Sequence, residues 1–123
     1  MGDFVKNSEI NIRDPFVLTY NGKYYMYGTR AADFGIKTGG FDVYVGTDLE
    51  NWSEPIEVFN SNKYGLNTAV NWAPEVHEFE GKFYMFATFK ADDKVGLSWY
   101  SCNGGRLSRE SGTGVRKAGN RIL

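Results

Sequence analysis

Asp14 stands between an arginine and a proline in the run Arg13-Asp14-Pro15-Phe16. A carboxylate in such a place can take a proton from water, accept hydrogen bonds from hydroxyl groups, or cap a turn. A residue before proline is steered towards extended backbone, which predicts a fixed direction for the Asp14 side chain. The same dipeptide reads equally well as the polar lip of a strand. A second group is Trp72-Ala73-Pro74-Glu75. Trp72 offers an aromatic face of the kind that packs on the apolar face of a sugar ring, or else a core side chain. Glu75 can bind a hydroxyl or act as an acid, or be a solvated carboxylate at a strand edge. His77, the only histidine, alternates with Val76 and reads as structural or half-exposed rather than as a metal ligand. Asp92-Asp93 reads as a loop tip. The lone Cys102 excludes an internal disulfide and a cysteine metal cluster. It sits in a polar, Gly-rich stretch with no second motif that would make it a nucleophile. "FGIKTGG" and "CNGG" lack the spacing and the Lys-Ser/Thr ending of a phosphate loop.

The strands around these residues show themselves by repetition. "DPFVLTYNGKYYMYGT" (14–29) aligns without gaps on "APEVHEFEGKFYMFAT" (73–88), 59 residues later, with seven identities and three Tyr/Phe exchanges. Self-similarity at a long period marks stacked supersecondary units. Each copy reads as a β-hairpin, with strands at Val17–Tyr20 and Val76–Phe79 returning over Lys23–Thr29 and Lys82–Phe89. Asn21-Gly22 and Glu80-Gly81 form the two-residue turns, the first a strong type I′ signal. Tyr24, Met26 and Gly28 fall on one face of the returning strand and Tyr25, Tyr27 and Thr29 on the other. Both faces are apolar or aromatic, which predicts a strand packed between sheets. "FDVYVGTD" (41–48) and "PIEVF" (55–59) supply a third and a fourth strand, joined by a turn at 49–52 that ends in the anchor Trp52. Residues 30–40 and 60–71 read as loops. Four strands per period is the arithmetic of a β-propeller blade, with an ordinary meander or sandwich as the plainer alternative.

The chain has 123 residues, 41% of them hydrophobic and 16% aromatic, enough for one modest all-β domain. Its net charge of −1 gives no bulk case for a nucleic-acid or membrane partner. No apolar run is long enough to span a membrane, and no signal-peptide h-region is visible at the start. A cytoplasmic location is the default expectation; a missing leader would make it a secreted protein. Charge is uneven: residues 1–100 carry a net −5 and residues 101–123 a net +4, with four of the six arginines in that tail.

Taken in order, "IRDPFVLTYNGKYYMYGT", "FDVYVGTDLENWSEP" and "NWAPEVHEFEGKFYMFAT" resemble the first two blades of glycoside hydrolase family 43, over roughly residues 8–90. The resemblance implies a five-bladed β-propeller and an enzyme of the β-xylosidase, α-L-arabinofuranosidase or arabinanase type, acting on carbohydrate with inversion. It implies three carboxylates: a general base, an aspartate that tunes the acid, and a general acid. Asp14 matches the base. Trp72 and Ala73 match the segment that walls the sugar subsite, Glu75 lies beside them as a subsite residue, and Phe34 is a candidate for the pocket lining. The other two carboxylates belong to later blades. Members commonly bind an ion in the central channel, but no ligand for it can be placed here, and no cofactor is identifiable. A related five-bladed fructosidase is disfavoured, since its Asn-Asp-Pro-Asn stands here as Arg-Asp-Pro-Phe.

Five repeats would need roughly 300 residues. The family-like pattern is expected to stop near residue 95, giving a partial propeller of two blades (1–95) and an irregular basic tail (96–123). A frameshifted or truncated gene end, or a disordered tail, would each account for that change in composition. The expectation is therefore a glycosidase fragment without its acid, inactive alone. The alternative is a non-catalytic carbohydrate-binding or interaction module.

Overall fold

The structure is a computed structural model and describes residues 4–30, 39–60, 70–91, 94–103 and 106–108. In chain order the strands are β1 (Val5–Lys6), β2 (Ile12–Tyr20), β3 (Lys23–Arg30), β4 (Gly40–Gly46), β5 (Asn51–Trp52), β6 (Ile56–Asn60), β7 (Val70–Phe79), β8 (Lys82–Ala91), β9 (Lys94–Asn103) and β10 (Arg106–Ser108). One 3-10 turn spans Asn7–Glu9. They form two antiparallel sheets, and each begins with one of the two repeated hairpins. The first runs β2-β3-β4. The outer edge of β4 is shared by β6 at one end and by β5, which carries β1, at the other. The fourth strand of the expected blade is thus split, with two N-terminal residues folded back onto it. The second sheet runs β7-β8-β9-β10.

The hairpin turns follow the sequence. Asn21 and Gly22 have φ of 49° and 74°, and Glu80 and Gly81 have 51° and 77°. Two left-handed residues match the twist of the flanking strands, as a type I′ connection requires. Pairing is Tyr20 with Lys23 and Phe79 with Lys82, so both hairpins keep one register.

Alternation then decides the packing. Phe16, Leu18, Tyr25, Tyr27, Val43 and Val45 share one face of the first sheet and pack on Val76, Met85 and Ala87 of the second. Tyr27, Val76 and Met85 are fully buried there. Tyr20 meets Phe83 edge-on across the same interface, at a centroid distance of 4.9 Å. The opposite face carries a smaller cluster of Met26, Tyr44 and Trp52, covered in part by Ile10, Ile12 and Tyr24. Trp52 is buried as expected of an anchor. Its indole N–H donates to Asn7 Oδ1 at 2.6 Å, and Asn7 Nδ2 donates to the Leu49 carbonyl at 2.9 Å. Beside this cluster runs an apolar groove of about 360 Å³ lined by residues including Ile10, Ile12, Pro15, Val17 and Met26. Each face of β3 therefore meets apolar groups, but among the described residues a second sheet covers only one of them.

Two expectations need correction. Strands were expected to begin at Val17 and Val76; they begin earlier and pass through a bulge. Between the pairs Arg13–Thr29 and Phe16–Tyr27, Asp14 and Pro15 together oppose Gly28. Between Trp72–Thr88 and Glu75–Phe86, Ala73 and Pro74 together oppose Ala87. Asp14 is not extended, as a pre-proline residue is expected to be. Its φ is 52°, and that of Ala73 is 50°. A left-handed first residue marks the type of two-against-one bulge that glycine usually fills, and the second tolerates proline because bulges are among the few places in a sheet where proline fits. The other correction concerns residue 95. The strand pattern does not end there: β9 continues through Asn103, paired along the length of β8. Residues 109–123, most of the expected tail, lie outside the described residues.

Candidate active site

The two bulges meet across the interface between the sheets. Thr29, on β3, is 2% exposed and lies between them. The Ala73 amide donates to Thr29 Oγ1 at 2.8 Å. The Thr29 hydroxyl stands 3.4 Å from Asp14 Oδ2. An amide N–H can only donate and a carboxylate only accept, so Thr29 accepts from Ala73 and gives its proton towards Asp14. The second distance is long for an O–H···O bond, as contacts to working carboxylates often are without a ligand.

Arg13, Asp14, Thr29 and Trp72 line a polar cavity of about 270 Å³. Asp14 is exposed, while Trp72 is half-buried. A carboxylate and an aromatic face thus border one water-accessible space, and β2 and β7, the leading strands of the two sheets, supply both. Such a space can hold a hydroxylated ring against the indole with a water beside the carboxylate. Ala73 enters through its backbone amide, since its methyl takes the position that Asp14 occupies in the first sheet.

Glu75 does not join this cavity. It is exposed and pairs with His77, with Oε2 and Nε2 3.1 Å apart. His77 also packs against Phe16 at a centroid distance of 5.1 Å, in keeping with a half-exposed structural role. Phe34 lies outside the described residues, as do Asp92 and Asp93. Thr29 escaped the reading of the sequence as a functional residue. The available signal was that it recurs as Thr88, on the face otherwise occupied by Tyr25 and Tyr27.

Next to the site, Arg30 clasps the first sheet together. Its Nε and NH2 groups donate to Asp42 at 3.0 and 2.6 Å, and NH2 also meets Glu57 at 2.9 Å. Burial opposes the Arg30 charge, and the hydrogen bonds and charges of Asp42 and Glu57 outweigh it, so its pKa is raised. Among the described residues, no three His, Cys, Asp or Glu side chains converge to hold a metal ion. No helix among them is long and apolar enough to cross a membrane.

Two stacked antiparallel sheets, each opening on a bulged strand that brings one of its leading residues to a shared polar cavity, define a repeat-built β protein with a carboxylate at the head of one unit. The profile of Glycosyl hydrolases family 43 matches residues 8–107. The chain belongs to that family. Its match includes all of β9 and reaches into β10, past the point where the resemblance was expected to stop.

Solved structures agree. An endo-arabinase from Bacteroides thetaiotaomicron VPI-5482 superposes with a TM-score of 0.68 at 26% identity, covering 97% of this chain and 39% of that one. A thermostable family-43 glycoside hydrolase gives 0.62 at 26% identity, over 88% of this chain and 32% of that one. An exo-beta-1,3-galactanase from Clostridium thermocellum shares the fold, with a TM-score of 0.67 at 21% identity over 95% of this chain and 26% of that one. The chain thus spans between a quarter and two-fifths of the length of these structures. No curated protein matches it.

Proposed function

We propose that the protein is the opening part of a glycoside hydrolase that cleaves arabinose- or xylose-type O-glycosidic bonds with inversion, and that Asp14 is its general base. The observation that carries this reading is the setting of Asp14. Its carboxylate is held at a left-handed bulge on the rim of a polar cavity, with Trp72 bordering the same space. Family membership and the endo-arabinase likeness support the substrate class. In this reading the two sheets are the first two blades of a five-bladed propeller, and Asp14 faces its axis.

Inversion needs a carboxylate to deprotonate water on one face of the sugar and a carboxylic acid to protonate the leaving oxygen on the other, about 6.5–9.5 Å apart. Asp14 fills the first role: water beside its oxygens loses a proton as it attacks the anomeric carbon. Trp72 holds the ring by its apolar face. The general acid and the aspartate that tunes it come from further blades. Accordingly the 123-residue protein binds arabino- or xylo-oligosaccharides without turning them over. In a chain that carries the further blades, it hydrolyses aryl α-L-arabinofuranosides or β-D-xylosides. There Asp14→Asn lowers kcat by roughly 10²–10⁴, the usual scale for a lost general base. Full activity in that variant would remove Asp14 from the role.

A binding-only module is the second reading. What favours it is that Asp14 is the one carboxylate among the described lining residues of the cavity. Oligosaccharide binding that persists with no hydrolysis, even when the further blades are restored, would select it.

A further inference from the structure

We infer that Thr29 is a positioning residue that ties the orientation of the Asp14 carboxylate to the neighbouring sheet. The inference rests on the reading of Asp14 as a base, and it adds what holds that base in place. The Ala73 amide lies in a bulge, where the strand ladder offers it no partner. Thr29 Oγ1 supplies one at 2.8 Å. This bond uses a lone pair of the hydroxyl, and the one proton of Thr29 is left for the nearby acceptor, Asp14 Oδ2, at 3.4 Å. Thr29 is buried at 2% exposure, so water does not compete freely for that proton.

The order of the relay is therefore fixed: amide of the second sheet, hydroxyl of the first, carboxylate of the first. A shift of the second sheet's bulge pulls on the hydroxyl and releases one oxygen of Asp14. Valine at position 29 would keep the shape and remove both bonds. Serine would keep both bonds. A purely packing role separates these variants differently, because valine preserves packing better than serine does.

The test is nuclear magnetic resonance on the 123-residue protein, with no substrate required. In the parent, the Ala73 amide is expected to exchange with solvent at least about tenfold more slowly than an unstructured amide, although it lies outside the ladder. Three-bond couplings should report a single Asp14 χ1 rotamer. In Thr29→Val the Ala73 exchange should rise about tenfold, the effect of one lost hydrogen bond, and the Asp14 couplings should average. In Thr29→Ser both should stay near the parent.

An unprotected Ala73 amide in the parent would overturn the relay, whether or not any variant folds. Faster Ala73 exchange in Thr29→Val with an unchanged Asp14 rotamer would make Thr29 a fastener between sheets and sink the positioning role. Both readouts are independent of catalysis. A failure of Asp14→Asn to affect turnover would thus count against the base assignment and leave the relay standing.

Discussion

Ala73 and Asp14 occupy the same left-handed backbone position with different means of tolerating it. Aspartate visits this region more readily than other non-glycine residues, because its short polar side chain bonds locally. Alanine has no such compensation, and the conformation costs it about 1–2 kcal/mol. Ala73→Gly is therefore expected to stabilise the protein by about 1 kcal/mol in urea unfolding, with the amide donor intact. Unchanged or lowered stability would mean that the methyl makes a contact worth as much as the strain. The identity of Asp14 as the residue to watch was legible from its place before proline and at the head of a repeat. Its conformation was not, because the pre-proline rule points to extended backbone and the usual glycine marker of a left-handed bulge is absent. Glu75 shows the converse. Its type suited the site, but the bulge shifts the register of the following residues, and Glu75 turns to His77 instead.

At the scale of elements, turns and clasps hold the strands to one register. Asp48 accepts the amides of Asn51 and Glu50 at 2.8 and 2.9 Å and the Asn51 side chain at 2.8 Å, closing the turn that delivers Trp52. Those bonds, led by the Asn51 amide, hold the Asp48 carboxyl below its ordinary value of 3.8. A depressed folded-state pKa stabilises the fold above the unfolded value and ceases to do so as pH falls through the folded one. The turn's contribution should thus be complete above pH 3.8 and fade only below it. Asp48→Ala should lower the urea midpoint near neutral pH, and the gap from the parent should close in strong acid. A gap that persists there would assign the loss to packing. Arg30 acts between strands rather than within a turn, joining β3 to Asp42 of β4 and Glu57 of β6. Arg30→Met would leave the half-buried Asp42 facing the exposed Glu57 without a cation between them, and should cost about 1–3 kcal/mol by denaturant unfolding, below the usual range for a fully buried pair. The hairpins were legible down to their turn residues, since Asn-Gly and strict alternation act locally. The split outer strand was not. Which short segment pairs with β4 depends on Trp52 and Asn7 meeting, 45 residues apart.

For the whole molecule, the interface between sheets is where stability concentrates. Met85 is fully buried between them, whereas Met26 borders the open groove. Met85→Ala should cost about 3–5 kcal/mol and Met26→Ala distinctly less, because a cavity in a closed interface cannot fill with solvent while one at a groove can. Equal losses in the two variants would mean that the groove is covered in solution. The pairing of two sheets could be read from the 59-residue echo, since each copy carries apolar residues on both faces.

The latch at Thr29 and the paired bulges also bear on how such a protein changes over generations. Bulge, proline, small opposing residue and threonine recur together as Pro15, Gly28 and Thr29, then as Pro74, Ala87 and Thr88. The second copy repeats the bulge geometry of the first, while the residue that the geometry displays differs, aspartate in one copy and alanine in the other. Chemistry can then be gained, lost or moved around such a protein by a single codon change, with no new backbone to invent.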